Sequence, residues 1–482
     1  MNGSALSQID TFVVLMLENR SFDHLLGWLY AGANNLSPTG QAFDGLTGQE
    51  SNPASDGSPV QVFRITSATA NAAFMPGADP GEGYAAMNDQ LFGSITAPPS
   101  QPTVSNQGFV KDFAYTLGWQ AKEKGWTILA GTTESAIMGC YDPTMVPVLS
   151  ALASGFAVCD QWFCSAPTET LPNRAFVHAA TSQGHLKDRD SPYTAPTIFG
   201  ALTAANVSWR IFGYAATPLT KSDFPDVQQA PGANFGVFTD FQAAATAGTL
   251  PAYSFLEPEW SGSGQNDQHP VSDIAAGEQL IYQVYQALKS GPKWASTLLV
   301  VTYDESGGLY DHVAPPWTAT PPGDGSVGEL GFGFNRFGPR VPAVLVSPLI
   351  AAGTVFRAPA GGPPHDHTVV LKTLENRYGL KPLTQRDAAA SDLSGVLTLA
   401  APRTDDPLAG VTPPALSPPT SAANQPTHLQ MIQAALAADL PAPGEARTAP
   451  APQLATAADY DRYIAAREAG WEAVRSQNPA ER

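Results

Sequence analysis

The run FVVLML at residues 12–17 is apolar throughout, runs into Glu18, Asn19, Arg20, Ser21 and the Asp23–His24 pair, and then turns apolar again. It is far short of the ~18–20 residues a membrane helix requires. Being apolar on both faces, it also lacks the alternation of a half-exposed strand. The run therefore predicts a fully buried strand of a parallel sheet, followed by a loop and a helix beginning near Asp23. Short β-branched or aromatic runs recur downstream, at 156–162 (FAVCDQW), 207–213 (VSWRIFG), 253–259 (YSFLEPE), 297–305 (TLLVVTYDE) and 341–348 (VPAVLVSP). Helical patterns lie between them. Over 273–291, Ile274, Leu280, Ile281, Val284, Tyr285 and Leu288 share one face, and Gly291 and Pro292 stop the helix. Strands alternating with helices predict an α/β fold, a mostly parallel central sheet flanked by helices.

Composition limits what such a fold does. The formal charge of −18 argues against a nucleic-acid partner, which calls for clustered Lys and Arg, but it leaves an anionic small substrate open. The 44 prolines and 43 glycines imply many loops. They concentrate in two places. Residues 31–120 are rich in Pro, Gly, Asn and Ser with little periodicity, and read as a loop-rich insertion or lid on a catalytic domain spanning 1–400. Residues 401–482 read as a strap on the core, Pro/Ala-rich to about 453 and ending in one amphipathic helix over 455–477. Cys140, Cys159 and Cys164 have neither disulfide nor zinc spacing and read as small buried hydrophobes. No basic, apolar and small-residue leader precedes the first strand, so the chain as written is expected not to be exported.

Several predicted strands carry an acidic or amide group just past their C-terminal ends: Glu18 and Asn19, Asp160, Glu257, then Asp304 and Glu305. In a parallel sheet these ends share the edge where ligands bind. One acidic residue there is an ordinary cap or turn residue. Four such strands gather more negative charge than a structural role requires, and such a cluster holds a cation or titrates abnormally. Glu18, Asp304 and Glu305 are the candidate ligands.

A second constellation is SAPTETLPNRAFVHAATSQG at 165–184. Pro172 suits the first turn of a helix and Gly184 its end. Thr170 falls at the helix start, where free N–H groups and the dipole favour a phosphate. A threonine hydroxyl attacks only when a base or a metal activates it. By spacing alone, Thr170 reads first as a cap and Thr168 as a turn residue. Among the eight histidines, His269, His312 and His367 each neighbour an Asp in a loop, the setting of a general acid. His178, His185 and His428 read as structural.

Five stretches together, VVLMLENRSFDH, CDQWFCSAPTETLPNR, EPEW with NDQHP, YDESGGLYDHVAPP and DHTVVLKTLE, resemble a phosphoesterase family of bacteria, fungi and plants. It contains phosphatidylcholine-type (non-specific) phospholipases C and related acid phosphatases on an alkaline-phosphatase-like fold. The resemblance runs in collinear order from about residue 9 to 395. It implies that Glu18, Asn19, Thr170, Asp304 and Glu305 hold one divalent metal ion (Ca, Mg, Mn, Zn or Fe). It implies also that Thr170 is the nucleophile, forming a phosphothreonine, with His269 and His312 as acid–base partners of the leaving alcohol. Around the substrate it places Asn266, Asp267, His269, Asp311, Glu257, Arg174 and Glu82. The implied substrate is a phospholipid, met in transient contact with a membrane surface, or a small phosphate ester; relatives are often exported. Two departures stand out. Ser306 replaces a histidine in the stretch Asp304-Glu305-Ser306-Gly307-Gly308, and Glu82 stands where relatives carry a histidine in the first insertion. A second metal, as in sulfatases or phosphonate hydrolases, would draw only on His365, Asp366 and His367, which read instead as a helix start. A non-enzymatic surface-binding protein with an acidic metal site is the remaining alternative.

Overall fold

The computed structural model describes residues 5–96, 104–123, 126–188, 193–214, 218–260, 264–418, 420, 426–438 and 452–477. Parts of the expected insertion (97–103) and of the strap (419, 421–425, 439–451 and 478–482) lie outside these. One eight-stranded sheet organises the chain. In chain order its strands are β1 (Thr11–Leu17), β2 (Ala157–Val158), β3 (Trp209–Gly213), β4 (Phe235–Val237), β5 (Tyr253–Leu256), β6 (Thr297–Tyr303), β7 (Ala343–Val346) and β8 (Thr354–Val355). Their spatial order is β8-β2-β7-β6-β1-β5-β3-β4. All pairings are parallel except those of β7, which runs antiparallel to both β6 and β2.

The first strand lies where its sequence demands. Every residue of β1 is buried, and a fully buried Val, Leu or Phe contributes roughly 1.5–3 kcal/mol. Only a central position covered on both faces provides that burial, and β1 sits between β5 and β6. Its register with β6 sets Leu17 opposite Tyr303. Glu18 and Asp304, the next residue of each strand, therefore leave the sheet side by side. Helix α1 (Phe22–Leu26) follows, with Ser21 as N-cap accepting from the His24 N–H at 3.2 Å.

The helices that matter for the site are α2 (Tyr84–Phe92), α3 (Thr170–Ala179), α4 (Ile274–Ser290), α5 (Thr368–Tyr378), α6 (His428–Ala438) and α7 (Ala457–Gln477). Among the described residues, no helix is long and apolar enough to cross a membrane. The structure differs from the sequence reading at several points. The run at 156–162 pairs only over Ala157–Val158, because Trp162 and Phe163 leave the ladder for single bridges to His365 and Arg340. Helix α3 ends at Ala179 rather than Gly184: Ala180 takes the left-handed conformation (φ 57°) that closes it, and Gly184 serves a later turn. The stretch 31–120 is less irregular than its composition suggests. It holds α2, a helix over Phe109–Gln120 and short ribbon strands, packed on their own apolar cluster of Trp28, Leu46, Phe109, Val110, Phe113 and Leu309. Helix α6 lies inside the tract read as Pro/Ala-rich strap.

Candidate active site

Two adjacent strand ends and one helix start form the centre. Asn19 adopts a left-handed conformation (φ 52°), one that asparagine tolerates better than most residues. Its N–H donates to Asp304 Oδ1 at 3.1 Å, tying the two loops together. After Asp304 the chain must pass tightly beneath Asn19. Gly307 (φ +62°) makes this possible, since a Cβ there would meet the Asn19 carbonyl oxygen at 2.2 Å. Thr170 is the first residue of α3, and the cap position belongs to Glu169, whose side chain caps nothing. The Thr170 hydroxyl thus caps no helix. Its Oγ1 lies 3.2 Å from Asn19 Oδ1 and 3.3 Å from Glu18 Oε2. Thr168 Oγ1 turns elsewhere, donating to the Leu186 carbonyl at 2.6 Å.

Charge is dense and buried. Arg174, one turn along α3, donates from Nε to Glu18 Oε1 and to Asp304 Oδ2, both at 3.0 Å. Its guanidinium also lies over the Trp260 ring. Burial and the neighbouring Asp304 carboxylate push Glu18 well above the ordinary range although Arg174 opposes them. Burial, Glu82 and Asp304 do the same to Glu305. Glu305 Oε2 accepts from the Gly307 N–H at 2.7 Å, whereas Oε1 is buried with no hydrogen-bond partner. One arginine cannot balance Glu18, Asp304 and Glu305. A site made of carboxylate, amide and hydroxyl oxygens with an orphaned carboxylate oxygen fits a hard divalent cation.

Around this centre stands a second acidic layer that sequence reasoning largely missed. Asn19 Nδ2 donates to Glu82 Oε2 at 2.5 Å. Asp79, Glu82 and His269 form one group of potential metal ligands, and Glu82, Asp188 and His428 another. His269 Nε2 is buried, 3.9 Å from Glu82 Oε2 and 4.0 Å from Asp79 Oδ1, without a hydrogen-bond partner. Burial holds its pKa below the usual histidine value despite Glu82. Asp188 Oδ1 takes the Leu171 N–H at 2.7 Å, so a carboxylate already occupies one of the helix-start donors expected to face a phosphate. His428 does not occupy an ordinary polar setting: its Nδ1 lies 3.2 Å from Glu82 Oε1 and 3.8 Å from Asp188 Oδ2. Burial would lower its pKa, but the bond to Glu82 and the charges of Glu82 and Asp188 hold it up at about 10. The sequence hid these contacts because Asp79, Asp188 and His428 sit in polar loop or helix-start contexts, and only the tertiary fold brings them together.

Other expected site residues are committed elsewhere. Glu257 accepts from the N–H groups of Leu219 and Thr220 at 2.7 and 2.9 Å, capping the short helix Leu219–Asp223. Asn266 closes its own loop through the Glu259 N–H and the Tyr214 hydroxyl. Asp267 takes the His269 N–H at 3.0 Å, and burial raises its pKa to about 7. Asp160 is paired with Arg357. His312 belongs to a separate buried group: Nδ1 lies 2.6 Å from Asp23 Oδ2, while Arg340 bridges Asp23 Oδ1 (2.8 Å) and Asp311 Oδ1 (2.9 Å). His367 stands at the N-cap of α5. Its Nδ1 accepts from Trp162 Nε1 at 3.3 Å, leaving Nε2 to donate to the Asp304 carbonyl at 2.5 Å. Cys140, Cys159 and Cys164 are free and buried.

A hydroxyl set among buried carboxylates, at the C-terminal edge of a mostly parallel sheet, is an arrangement suited to hydrolytic chemistry. The sequence carries the class further. The Phosphoesterase family matches residues 9–381, and this chain belongs to that family; it is a phosphoester hydrolase. It is 38% identical over 419 residues to non-specific phospholipase C6 of Arabidopsis thaliana, covering 83% of this chain and 75% of the relative. Phospholipase C A of Mycobacterium tuberculosis is 28% identical over 448 residues, 82% of this chain and 78% of the relative. Among solved structures, a protein of the alkaline phosphatase superfamily from Vibrio parahaemolyticus superposes at a TM-score of 0.30 and 13% identity, over 51% of this chain and 64% of the other.

Proposed function

We propose that the protein is a metal-dependent phosphodiesterase of the phospholipase C type, working through a phosphothreonine at Thr170. The observation that carries this reading is the Thr170 hydroxyl, 3.2 and 3.3 Å from Asn19 Oδ1 and Glu18 Oε2 and capping nothing. Glu18, Asn19, Thr170, Asp304 and Glu305 would hold one divalent cation, which when bound favours the ionised hydroxyl and offsets phosphate charge. Thr170 Oγ1 bonds to phosphorus as the bond to the leaving alcohol breaks, and the hydroxyl proton passes to the facing oxygen of Glu18. Buried and partnerless at Nε2, the imidazole of His269, once protonated, is the acid for the departing alkoxide and then the base for the water that releases the headgroup phosphomonoester (phosphorylcholine, from a choline diester) from Thr170. His312, tied to Asp23 and Arg340, is the weaker candidate for that role.

The diester reading follows the phospholipases C among its relatives. The exposed side chains of Val327 and Leu330 favour a lipid surface as the source of substrate. Their loop packs on Leu186 through Gly328, two residues from Asp188, so it stands at the rim of the site. Residues 31–120, which deliver Asp79 and Glu82, act in this reading as the lid that selects substrate, and the segment from 401 onward as a strap on the catalytic domain. The test is a side-by-side assay of phosphatidylcholine vesicles, a soluble phosphorylcholine diester and a phosphomonoester, with metal analysis of the purified protein. Diester turnover that disappears on chelation and returns with added metal supports the proposal. Preference for the monoester makes the protein an acid phosphatase, and metal binding without turnover makes it a surface-binding protein.

A further inference from the structure

His428 arrives from far along the chain, on a helical hairpin whose hold on the protein does not depend on it. Gln430 Nε2 of α6 donates to Asp461 Oδ1 of α7 at 2.7 Å, and Arg467 of α7 donates to the carbonyls of Ala437 and Ala438 at 3.1 and 2.8 Å. Ala434, Tyr460 and Ile464 are buried between the two helices. Leu429 and Ile432 enter the main core, and the Lys221 ammonium, on the short helix Leu219–Asp223, lies 4.4 Å from the Trp471 ring. With the hairpin held in this way, the imidazole at its first residue projects onto Glu82.

From there the contacts run without a gap to the reacting hydroxyl. His428 Nδ1 is 3.2 Å from Glu82 Oε1. The other oxygen of the same carboxylate accepts from Asn19 Nδ2 at 2.5 Å, and Asn19 Oδ1 accepts from Thr170 Oγ1 at 3.2 Å. An amide held through its nitrogen has its oxygen orientation fixed, so Glu82 decides whether Asn19 Oδ1 faces Thr170. The ligand atoms of Glu82, Asp188 and His428 lie within 4.8 Å of one another, as do those of Asp79, Glu82 and His269, and the imidazole of His428, facing Glu82 Oε1, holds that carboxylate in place among them.

We propose that His428 is a positioning residue of the active site, fixing Glu82 so that Asn19 presents its Oδ1 to Thr170, and that the C-terminal hairpin is thereby part of the catalytic unit. The proposal rests on the reading of Thr170 as the reacting hydroxyl. Loss of a partner that orients a metal ligand typically costs about 10–100-fold in metal affinity or activity. The experiment uses the full chain, comparing wild type with His428→Ala and His428→Gln and taking His185→Gln as a control, on a soluble phosphorylcholine diester. Turnover, KM, melting temperature and bound metal are measured for each.

For His428→Ala the expected result is a fall in kcat of about 10–100-fold, with KM, melting temperature and metal content close to wild type. For His428→Gln, whose amide still donates to Glu82, part of that loss is recovered, and the control is unchanged. Full activity in His428→Ala overturns the proposal. So does a loss of bound metal as complete as in Glu18→Gln, which would make His428 a ligand, or an equal loss in both variants with a lowered melting temperature, which would make its role structural. A wild type that turns over no phosphoester defeats the proposed function instead, so the two failures are distinguishable.

Discussion

Exchanging one hydroxyl at a time in the Thr168–Thr170 pair should separate chemistry from folding. Thr170 Oγ1 makes two long contacts, at 3.2 and 3.3 Å. Removing it should cost about 1 kcal/mol of stability or less, because Glu18 keeps Arg174 and Asn19 keeps Glu82 and Asp304. Thr168 makes one short bond, 2.6 Å to the buried Leu186 carbonyl. Thr168→Ala leaves that carbonyl unmet, at a cost of about 1–3 kcal/mol. Turnover should behave in the opposite sense. Without a nucleophile, Thr170→Ala should lose on the order of 10⁴–10⁶ in kcat, which is about 5–8 kcal/mol of barrier. Thr168→Ala should keep most of its activity below its melting temperature, and Thr170→Ser should keep some, since a hydroxyl remains with looser positioning. Urea unfolding and steady-state kinetics on one preparation of each variant measure both effects. A Thr170→Ala enzyme within tenfold of wild type, or a Thr168→Ala enzyme as inactive as Thr170→Ala, would refute the assignment.

Three further outcomes are expected. Glu18→Gln and Asp304→Asn should each lose bound metal and activity together, since each removes an anionic oxygen ligand; full metal content with full activity in either variant would contradict the site. Arg174→Gln should cost about 3–5 kcal/mol in urea unfolding, because it leaves Glu18 and Asp304 buried and unpaired; a cost under ~1 kcal/mol would show that the guanidinium is not what balances them. The Asp23–His312 pair should give the stability a basic limit. Burial lowers the His312 pKa, but Asp23 and its hydrogen bond outweigh this and hold it at about 10, against ~6.5 when unfolded. The folded state therefore keeps the extra proton, and the stabilisation, complete below pH ~6.5, is lost as the pH rises toward about 10. His312→Gln should flatten the melting temperature across that window, and an unchanged slope would contradict the pairing.

What was legible in the sequence followed from short-range pattern. The buried strand at 12–17, the helix over 273–291 with its Gly291–Pro292 stop, and the strand-end acids Glu18, Asp304 and Glu305 can be read from periodicity and position. Their convergence follows once β1 and β6 pair in register. Equally acidic strand ends proved to have other employment. Glu257 caps a helix and Asp160 pairs with Arg357, and nothing local distinguishes them from Glu18. His428 was illegible for the opposite reason: its neighbours describe an ordinary helix start, and its meaning lies in Glu82, on the other side of most of the chain. Helix α6 and the helices of the 31–120 stretch were hidden by Pro- and Gly-rich surroundings, their order resting on packing rather than local propensity.

The central claim is that the headgroup phosphate of the substrate passes through a covalent ester on Thr170. Wild-type enzyme, mixed with a soluble phosphorylcholine diester and quenched in acid during the first turnovers, can be digested and its peptides analysed by mass. The account predicts one added phosphorylcholine group on the peptide containing Thr170, fragmentation placing it on that residue, and no such species from Thr170→Ala. Phosphorylcholine found on Thr168 or on a histidine, or a Thr170→Ala enzyme that still turns over with no modified peptide at all, would contradict it.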